Sequence, residues 1–307
     1  MKQIKLTIIG TITRDTITFP DRKRIRSFGG ILYNIIPLAL LAPQDLVVLP
    51  ICNLGSDIHE KVLSYLRGFK NLDLSGLSRV KEKNNHVHLF YNRKWDKKGI
   101  LKYLVPKIEF RQVEPHLDSD CILINFISGF DIDLESLKKI RKKSKSRIFI
   151  DLHSLILGIK KNGERFFKVP VFWEEYLKIA DIVQMNFKEI QILSKGKLHS
   201  KEELESFAEK ILDLGPEILL VTRGREGALI CYKEKRKTVF YHTSSLKLTD
   251  TVDPTGCGDV FSAGFLLAYL KTSNAELSSE FANFLAGMKS RFSGIESFLE
   301  VYSRHNI

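Results

Sequence analysis

Close to its C-terminal end, the chain carries a loop and a helix whose residues are suited to holding a phosphate group. Gly256 and Gly258 bracket Cys257, Asp259 comes next, and the small and apolar residues 260–270 are typical of a buried helix. Two glycines let successive backbone N–H groups point the same way, and the free N–H groups and dipole of a helix start add positive charge. The sequence therefore predicts an anion site at this loop, best suited to phosphate.

Asp259 lies beside the predicted phosphate, and two interpretations of its carboxylate stay open. It could cap the helix, because aspartate is a favoured N-cap residue. A cap, however, needs neither a Gly-x-Gly before it nor a second acid, Asp253, six residues upstream. A carboxylate next to a phosphate cradle is arranged to take a proton from a hydroxyl that attacks the phosphate, and we predict this chemistry.

Residues 253–261, Asp-Pro-Thr-Gly-Cys-Gly-Asp-Val-Phe, resemble the Asp-Thr-x-Gly-Ala-Gly-Asp signature of the ribokinase-like (PfkB) carbohydrate and nucleoside kinases. Pro254 stands where that signature has Thr, and Cys257 where it has Ala. Neither change removes a phosphate-facing N–H, because Pro254 precedes the loop. The resemblance implies a kinase that uses ATP and Mg²⁺, with Asp259 as the base and the N–H groups of the Gly-Cys-Gly-Asp loop around the transferred phosphoryl group.

The metal predictions depend on two acidic residues, Glu189 and Asp253. Asn186 and Glu189 resemble the family's Asn-x-x-Glu motif, whose Glu helps to hold the nucleotide's magnesium through water. Mg²⁺ keeps several waters and needs few carboxylates. The alternative is a capping box in which Glu189 reaches back to Asn186, and both interpretations can hold together. Many relatives bind a monovalent cation such as K⁺ near the position of Asp253, and Pro254 leaves that role open here.

Other family landmarks imply the nucleotide and acceptor sites, in order across residues 10–294. Some of these landmarks have a simpler alternative. Gly224 and Gly227 could form a bare turn, Gly29 and Gly30 an ordinary loop, and Asp15 could lie in a charged surface turn. Pro37 lies inside the predicted helix that follows Gly29 and Gly30, and it departs from the expected pattern because proline removes a helical hydrogen bond. The nucleotide set is Asn186, Thr222, Gly224, Gly227 and Asn283, and the acceptor set is Asp15, Gly29, Gly30 and Asn34.

Alternating strands and helices would position these residues. Strands at 5–10, 47–51, 121–125, 147–151, 182–185 and 218–222, with helices between them, predict a parallel sheet covered by helices on both faces. Ligands bind beyond the C-terminal ends of such strands, where Asn125, Asp151 and Asn186 stand. Two polar, alternating hairpins are predicted to pair as a small β-lid from about 12–28 and 80–105. The predicted fold is an α/β, ribokinase-like three-layer α/β/α sandwich, with residues 1–307 as one kinase domain.

The composition bounds the class of protein. Of the 307 residues 44% are hydrophobic and 27% are charged, which is typical of a soluble globular protein. No apolar run approaches the ~20 residues of a membrane span, and no signal peptide is recognisable. Four cysteines without a CxxC pair argue against zinc and redox motifs and favour the cytoplasm. There is no GxxxxGK[ST] sequence, so a P-loop kinase is not supported.

The net charge of +12 admits a nucleic-acid partner. We predict instead a solvated basic surface, because the basic residues are spread out, apart from clusters such as the turn around Arg236, and no aromatic residues interleave with them. The predicted function is ATP-dependent phosphorylation of a hydroxyl on a small sugar or nucleoside. A non-catalytic binding protein on a kinase-like scaffold, contacting nucleic acid, is the alternative. The specific acceptor, the donor, the need for K⁺, and the choice between a monomer and a homodimer formed through the lid stay open.

Overall fold

The computed structural model describes residues 3–93, 96–235, 237–245 and 251–304. Arg236, in the predicted basic turn, and residues 94–95, in the turn of the second predicted hairpin, lie outside these ranges. The strands are β1 (Ile4–Ile9), β2 (Ile12–Thr18), β3 (Arg24–Gly30), β4 (Leu46–Gly55), β5 (Leu77–Val80), β6 (His86–Tyr91), β7 (Lys97–Lys102), β8 (Cys121–Asn125), β9 (Arg147–Asp151), β10 (Leu157–Ile159), β11 (Arg165–Phe167), β12 (Ile182–Asn186), β13 (Ile218–Thr222), β14 (Ala228–Glu234) and β15 (Lys237–Thr243). The helices are α1 (Leu32–Leu41), α2 (His59–Leu66), α3 (Phe110–Val113), α4 (Leu134–Lys143), α5 (Trp173–Ile179), α6 (Phe187–Leu193), α7 (Lys201–Leu214), α8 (Cys257–Thr272), α9 (Ala275–Lys289) and α10 (Gly294–Arg304).

A large, mainly parallel sheet forms the centre of the molecule. Within the described residues it has nine strands in the order β15-β14-β13-β12-β9-β8-β1-β4-β5. The seven strands from β13 to β5 run parallel, and the hairpin β14–β15 adds two antiparallel strands at one edge. At the C-terminal ends Asn125 pairs with Asp151, and Asn186 pairs with Thr222. The predicted strand ends therefore meet along one edge.

Each face of this sheet packs against its own layer of helices. Leu6 and Ile8 of β1 belong to a core with α1, α2, α8 and α9, whereas Ile9 belongs to a second core with α4 to α7. Successive side chains of a strand point to opposite faces, so one apolar strand supplies both cores. The predicted three-layer α/β/α architecture is confirmed.

A second, four-stranded sheet is built from the two predicted hairpins, in the order β3-β2-β6-β7. The hairpins β2–β3 and β6–β7 are antiparallel, and β2 and β6 join them in parallel. Its small core contains Ile17, Phe19, Leu89 and Tyr91. The single-domain organisation, with this second sheet acting as a lid, stays a prediction.

Some elements differ from those that the sequence indicates. β4 continues to Gly55, beyond the predicted 47–51, so Asn53 lies in a strand and not in the following loop. β5, the pair β10–β11 and α10 were not predicted. The three strands have three or four residues each, too few for an alternating pattern to stand out. Within the described ranges, no helix combines the length and the apolar composition that crossing a bilayer requires.

Candidate active site

The Gly-Cys-Gly loop leads directly into α8. Gly256 is the N-cap residue, with a left-handed backbone at φ +80°, and no side chain caps the helix. A Cβ on Gly256 would lie 2.4 Å from ring carbons of Tyr33, so the position needs glycine for both conformation and space. The N–H groups at the start of a helix lack intrahelical partners and attract anions. The loop geometry is thus compatible with the predicted anion site, which stays a prediction.

Asp259 is the third residue of α8 and does not cap the helix. Its Oδ1 accepts a hydrogen bond of 2.8 Å from Asn125 Nδ2, and its backbone carbonyl accepts one of 2.7 Å from Asn34 Nδ2. Asn125 Nδ2 also donates to Asn34 Oδ1 at 2.9 Å. The end of β8 and the first turn of α1 therefore hold this carboxylate in one orientation at the C-terminal edge of the sheet.

The prediction that Asn34 grips the acceptor does not agree with these contacts. The residue is fully buried in α1, and both its amide oxygen and its amide nitrogen bond to protein groups. Both polar atoms of the Asn34 side chain are therefore already used by the protein. We reassign Asn34 to positioning Asp259, together with Asn125.

A second buried carboxylate, Asp151 at the end of β9, lies near Asp259. Its Oδ2 accepts hydrogen bonds from Gln184 Nε2 at 3.0 Å and from Ser262 Oγ at 2.9 Å. Burial, followed by the charge of Asp259, raises the pKa of the Asp151 carboxyl above its ordinary value. Burial also raises the pKa of Asp259 to about 6, against the opposing effects of the Asn125 hydrogen bond and the charge of Lys97. The pair therefore favours one ionised carboxylate over two.

Three of the residues predicted to bind the acceptor lie together in the second sheet: Asp15 on β2, and Gly29 and Gly30 on β3. Asp15 is only 5% exposed, so it is not a charged surface turn. A Cβ on Gly29 would lie 2.0 Å from Asp15 Oδ2, which means that the missing side chain leaves room for the carboxylate. Gly30 ends β3 with φ +66°, where a Cβ would meet the Thr11 carbonyl at 2.1 Å. Both glycines thus belong to a strand and not to an ordinary loop.

The described residues leave one oxygen of the Asp15 carboxyl unsatisfied. Its Oδ1 is buried and has no hydrogen-bond partner in the part of the chain that the structure describes. Burial raises its pKa to about 7, while a hydrogen bond with Thr13 and the charge of Lys97 lower it. The charges of Asp253 and Asp259 raise it further, which sets the three carboxylates around one region.

Two residues of the second sheet reach the same region, and the sequence pattern did not reveal either of them. Tyr91 Oη lies 3.0 Å from Thr255 Oγ1, just before the glycine loop. Lys97, its register partner on β7, lowers the pKa of the carboxyls of Asp15, Asp259 and Glu189 through its positive charge. The second sheet therefore places a hydroxyl beside the glycine loop and carries a positive charge whose field reaches the carboxylates.

Asn186 and Glu189 form the capping box at the start of α6. Asn186 Oδ1 accepts from Glu189 N at 3.0 Å, and Glu189 Oε2 accepts from Asn186 N at 2.8 Å. Burial and the charge of Asp151 raise the pKa of Glu189 well above its ordinary value. Three buried carboxylates that repel one another are a fitting environment for a hydrated Mg²⁺, which needs few direct protein ligands. Among the described residues, no three His, Cys, Asp or Glu side chains converge as a complete metal cage.

Three adjoining surface clefts contain most of the predicted nucleotide residues. One of about 270 Å³ is lined by Asn186, Thr222 and Gly224, among others. It shares Phe187 and Arg223 with the next cleft, of about 400 Å³. The Arg223 guanidinium lies over the Phe187 ring, 5.7 Å from its centroid. Arg223 Nε is buried and has no hydrogen-bond partner within the described ranges.

The third cleft, of about 370 Å³, adjoins the second through His242 and contains Asn283. Asn283 Nδ2 donates to Thr243 Oγ1 at 3.0 Å, which ties α9 to the end of β15. Gly227 does not line these clefts. A Cβ there would lie 1.9 Å from the Thr243 carbonyl, so this glycine lets the turn after β13 pack against β15. The simple-turn interpretation explains Gly227 better than direct phosphate contact does.

The implied K⁺ site at Asp253 already contains a positive charge from the chain itself. Asp253 is fully buried; its Oδ1 accepts from Thr255 N at 2.9 Å and its Oδ2 from Gly294 N at 3.1 Å. Lys289 Nζ lies 3.8 Å from the same Oδ2 and donates to the Asp253 carbonyl at 3.2 Å. The Lys289 ammonium thus lies among the Asp253 oxygen atoms that the predicted K⁺ would contact.

Several positioning residues were missed, and some left a signal. Gln184 is the one polar residue of the apolar stretch 182–185, so a polar group at that register indicates a partner at the sheet edge. Ser262 gave no sequence signal, because small residues such as serine are common in a closely packed helix. Lys289 gave no signal, because a lysine in the last turn of a helix is common on electrostatic grounds.

A family model described as pfkB family carbohydrate kinase matches residues 162–298. The cytidine kinase of Thermococcus kodakarensis is 24% identical over 273 residues, which are 87% of this chain and 88% of that protein.

Two solved structures share the fold. The sulfate complex of a pyrophosphate-dependent kinase in the ribokinase family is 19% identical, with a TM-score of 0.80, and covers 95% of this chain and 99% of its own. Ribokinase of Arabidopsis thaliana, complexed with ribose and ATP, is 18% identical, with a TM-score of 0.72, over 98% of this chain and 99% of its own. Residues 162–298 thus match the pfkB carbohydrate kinases, the whole chain shares the ribokinase-like fold, and together these similarities support a carbohydrate- or nucleoside-kinase-type phosphotransferase.

Proposed function

We propose that this kinase transfers a phosphoryl group from ATP, as its Mg²⁺ complex, to a hydroxyl of a small sugar or nucleoside. The observation that carries the proposal is the fixed Asp259 carboxylate: Asn125 holds its Oδ1 at 2.8 Å, one turn from a glycine N-cap. A carboxylate with a raised pKa beside an anion site is suited to general base catalysis on a hydroxyl.

In the proposed reaction, the oxygen of the acceptor hydroxyl bonds to the terminal phosphorus of ATP while Asp259 takes the proton of that hydroxyl. The bond between that phosphorus and the bridging oxygen breaks, and ADP leaves with the bond's electron pair. The N–H groups of Gly256, Cys257 and Gly258 face the charge on the transferring group. Most of the acceleration comes from such positioning and electrostatics, because phosphoryl transfer offers little covalent chemistry to the protein.

We assign the acceptor to the region around Asp15. Its unpartnered Oδ1 accepts a hydrogen bond from a substrate hydroxyl, and the room left by Gly29 keeps the carboxylate in place. The Tyr91 hydroxyl, 3.0 Å from Thr255 Oγ1, closes the side next to the glycine loop. A sugar or nucleoside carries the donors that satisfy this buried oxygen.

We assign the donor to the three clefts between Asn186 and Asn283. The Arg223 guanidinium, which lies over the Phe187 ring and pairs with Glu226, supplies positive charge near the donor phosphates, and Thr222 with Gly224 lines the same cleft. Glu189 would hold Mg²⁺ through water, and the ion would neutralise charge on the nucleotide phosphates when bound. The four cysteines are unpaired, which fits a reducing compartment such as the cytoplasm. Homodimerisation through the second sheet stays a prediction.

Glu189→Gln is expected to raise the Mg²⁺ concentration needed for half-maximal turnover by roughly tenfold, because an amide replaces the carboxyl group that would hold the water of the ion. The measurement is initial rate against Mg²⁺ at saturating ATP. Glu203→Gln is the matched control, since Glu203 forms the same capping box with Ser200 at α7. If both variants change the Mg²⁺ requirement equally, or neither does, Glu189 acts only as a cap.

Turnover is expected to fall as the pH drops through about 6, because the base must be ionised and burial raises the pKa of Asp259 to about 6. With an aspartate of ordinary pKa as the base, turnover would not change until the pH reached about 4. Asn125 donates to the ionised carboxylate and so lowers this pKa. Asn125→Ala should therefore move the acidic limb of the kcat/KM profile to higher pH. A limb that stays in place after this substitution would assign it to another group.

The acceptor is identified by a panel of sugars and nucleosides, beginning with cytidine, ribose and myo-inositol, each with Mg²⁺ and either ATP or pyrophosphate. Cytidine, ribose and both donors follow from the relatives named above, and myo-inositol follows from a complex of a pyrophosphate-dependent ribokinase-family kinase with a pyrophosphate analog. We expect one acceptor to give turnover with ATP. Turnover with pyrophosphate alone would correct the donor. If no acceptor reacts while ATP still binds, two explanations are left: an acceptor outside the panel, or the binding-protein alternative.

A further inference from the structure

A buried lysine lies directly behind the anion loop. Lys289, the last residue of α9, has no exposed surface. Its Nζ donates to the Asp253 carbonyl at 3.2 Å and to the Phe292 carbonyl at 3.1 Å, and lies 3.8 Å from Asp253 Oδ2. It also lies 5.2 Å from the centroid of the Tyr33 ring. A single ammonium group is thus surrounded by two carbonyls, a carboxylate and a π face.

A fully buried ammonium group is stable only if its surroundings compensate for the hydration that it loses. Lysine is almost never fully buried unless it is paired, because removing its charge from water is costly. The oxygen atoms around Lys289 Nζ are the kind of ligands that hold an alkali cation, and a compact ammonium is a point charge of similar type. The ring of Tyr33 adds a cation–π contact on another side. The surroundings therefore have the composition of a monovalent-cation site with the cation supplied by the chain.

The same contacts connect the ammonium to the anion loop. Asp253 Oδ1 accepts from the N–H of Thr255, which immediately precedes Gly256. The Tyr33 ring packs so closely on Gly256 that a Cβ there would lie 2.4 Å from it. The charge of Lys289 also lowers the pKa of Cys257 and Asp259, so its field reaches the loop.

We propose that the Lys289 ammonium takes the place of a monovalent metal ion, fixing the 253–256 backbone and supplying positive charge to the anion loop, so that the enzyme needs no K⁺. Lys289 is a positioning residue and touches no reactant in this account. The turnover part of the inference rests on the proposed phosphotransfer, whereas the ion-binding part does not.

The test uses the whole protein in KCl and in choline chloride at equal ionic strength. For the unsubstituted enzyme we expect the same melting temperature and the same turnover in both salts. A melting temperature that rises saturably with K⁺, or turnover that K⁺ increases severalfold, overturns the proposal. The melting readout does not need an acceptor, so it separates failure of this inference from failure of the proposed function.

Lys289→Met removes the ammonium with little change in length, and Lys289→Arg keeps a charge if the first variant does not fold. In choline chloride, Lys289→Met is expected to lower turnover by roughly ten- to a hundredfold, the effect of a displaced catalytic loop. Ammonium chloride, which supplies the missing group, should restore part of that turnover. Lys271→Met, at the exposed end of α8, is the control. Unchanged melting and turnover in Lys289→Met without added cations would contradict the proposal.

Discussion

Replacing Asp259 with asparagine is expected to lower kcat by roughly a hundred- to ten-thousandfold, the usual contribution of a general base. The side chain keeps its shape, and its amide oxygen can still accept the hydrogen bond from Asn125. Only proton acceptance is lost, so the dissociation constant of ATP should change little. Because burial disfavours the ionised carboxylate, the variant should melt no lower than the parent enzyme.

The measurement pairs steady-state turnover with calorimetric titration of ATP. Asp118→Asn is the matched control: this exposed aspartate pairs with Lys5 at 2.9 Å and lies outside the site. Such surface pairs contribute about 1 kcal/mol or less to the free energy of unfolding, so turnover should stay normal. Near-normal turnover in Asp259→Asn would exclude this residue as the base, whereas equal loss of ATP affinity and turnover would indicate a damaged fold.

Gly256→Ala is expected to lower turnover by roughly a hundredfold, because a methyl group at this position must displace either the loop or the Tyr33 ring. The substitution also places alanine at φ +80°, which costs about 1–2 kcal/mol of stability. The loss of turnover should exceed what the loss of stability explains, since the N–H groups of the anion site shift.

Gly196→Ala separates the two effects. Gly196 has φ +76°, nearly the same conformation, but a Cβ there meets no atom within 4 Å. We expect this variant to lose stability similarly and to keep its turnover. The melting temperature and kcat of both variants are measured together. Equal turnover in the two variants would show that the close contact between Gly256 and Tyr33 does not support the reaction.

The sequence predicted the parts of this protein that follow from local rules. Alternating apolar strands and helices indicated the parallel sheet, and Gly-x-Gly followed by aspartate indicated a helix start with a carboxylate beside it. The strand ends at Asn125, Asp151 and Asn186 were placed correctly, because parallel strands share one C-terminal edge.

Roles that depend on distant contacts could not be predicted in the same way. Asn34 has the polar side chain of a substrate-binding residue, but only the packing of α1 against α8 shows that it bonds to the Asp259 carbonyl. Lys289 and Asp253 are 36 residues apart, and no local pattern reveals that their atoms meet. A pattern indicates which groups a segment offers, whereas the tertiary fold decides which of them meet each other and which meet a ligand.

The central claim, that Asp259 activates a hydroxyl for phosphoryl transfer, is tested most directly by product analysis. The enzyme and Asp259→Asn are each incubated with Mg²⁺, ATP carrying a labelled terminal phosphate, and the acceptor panel, and the acceptors are analysed by mass spectrometry. We predict that the label appears as a phosphate ester on one acceptor with the unsubstituted enzyme and is nearly absent with the variant. Equal labelling by both proteins, or label released only as inorganic phosphate, would contradict the account.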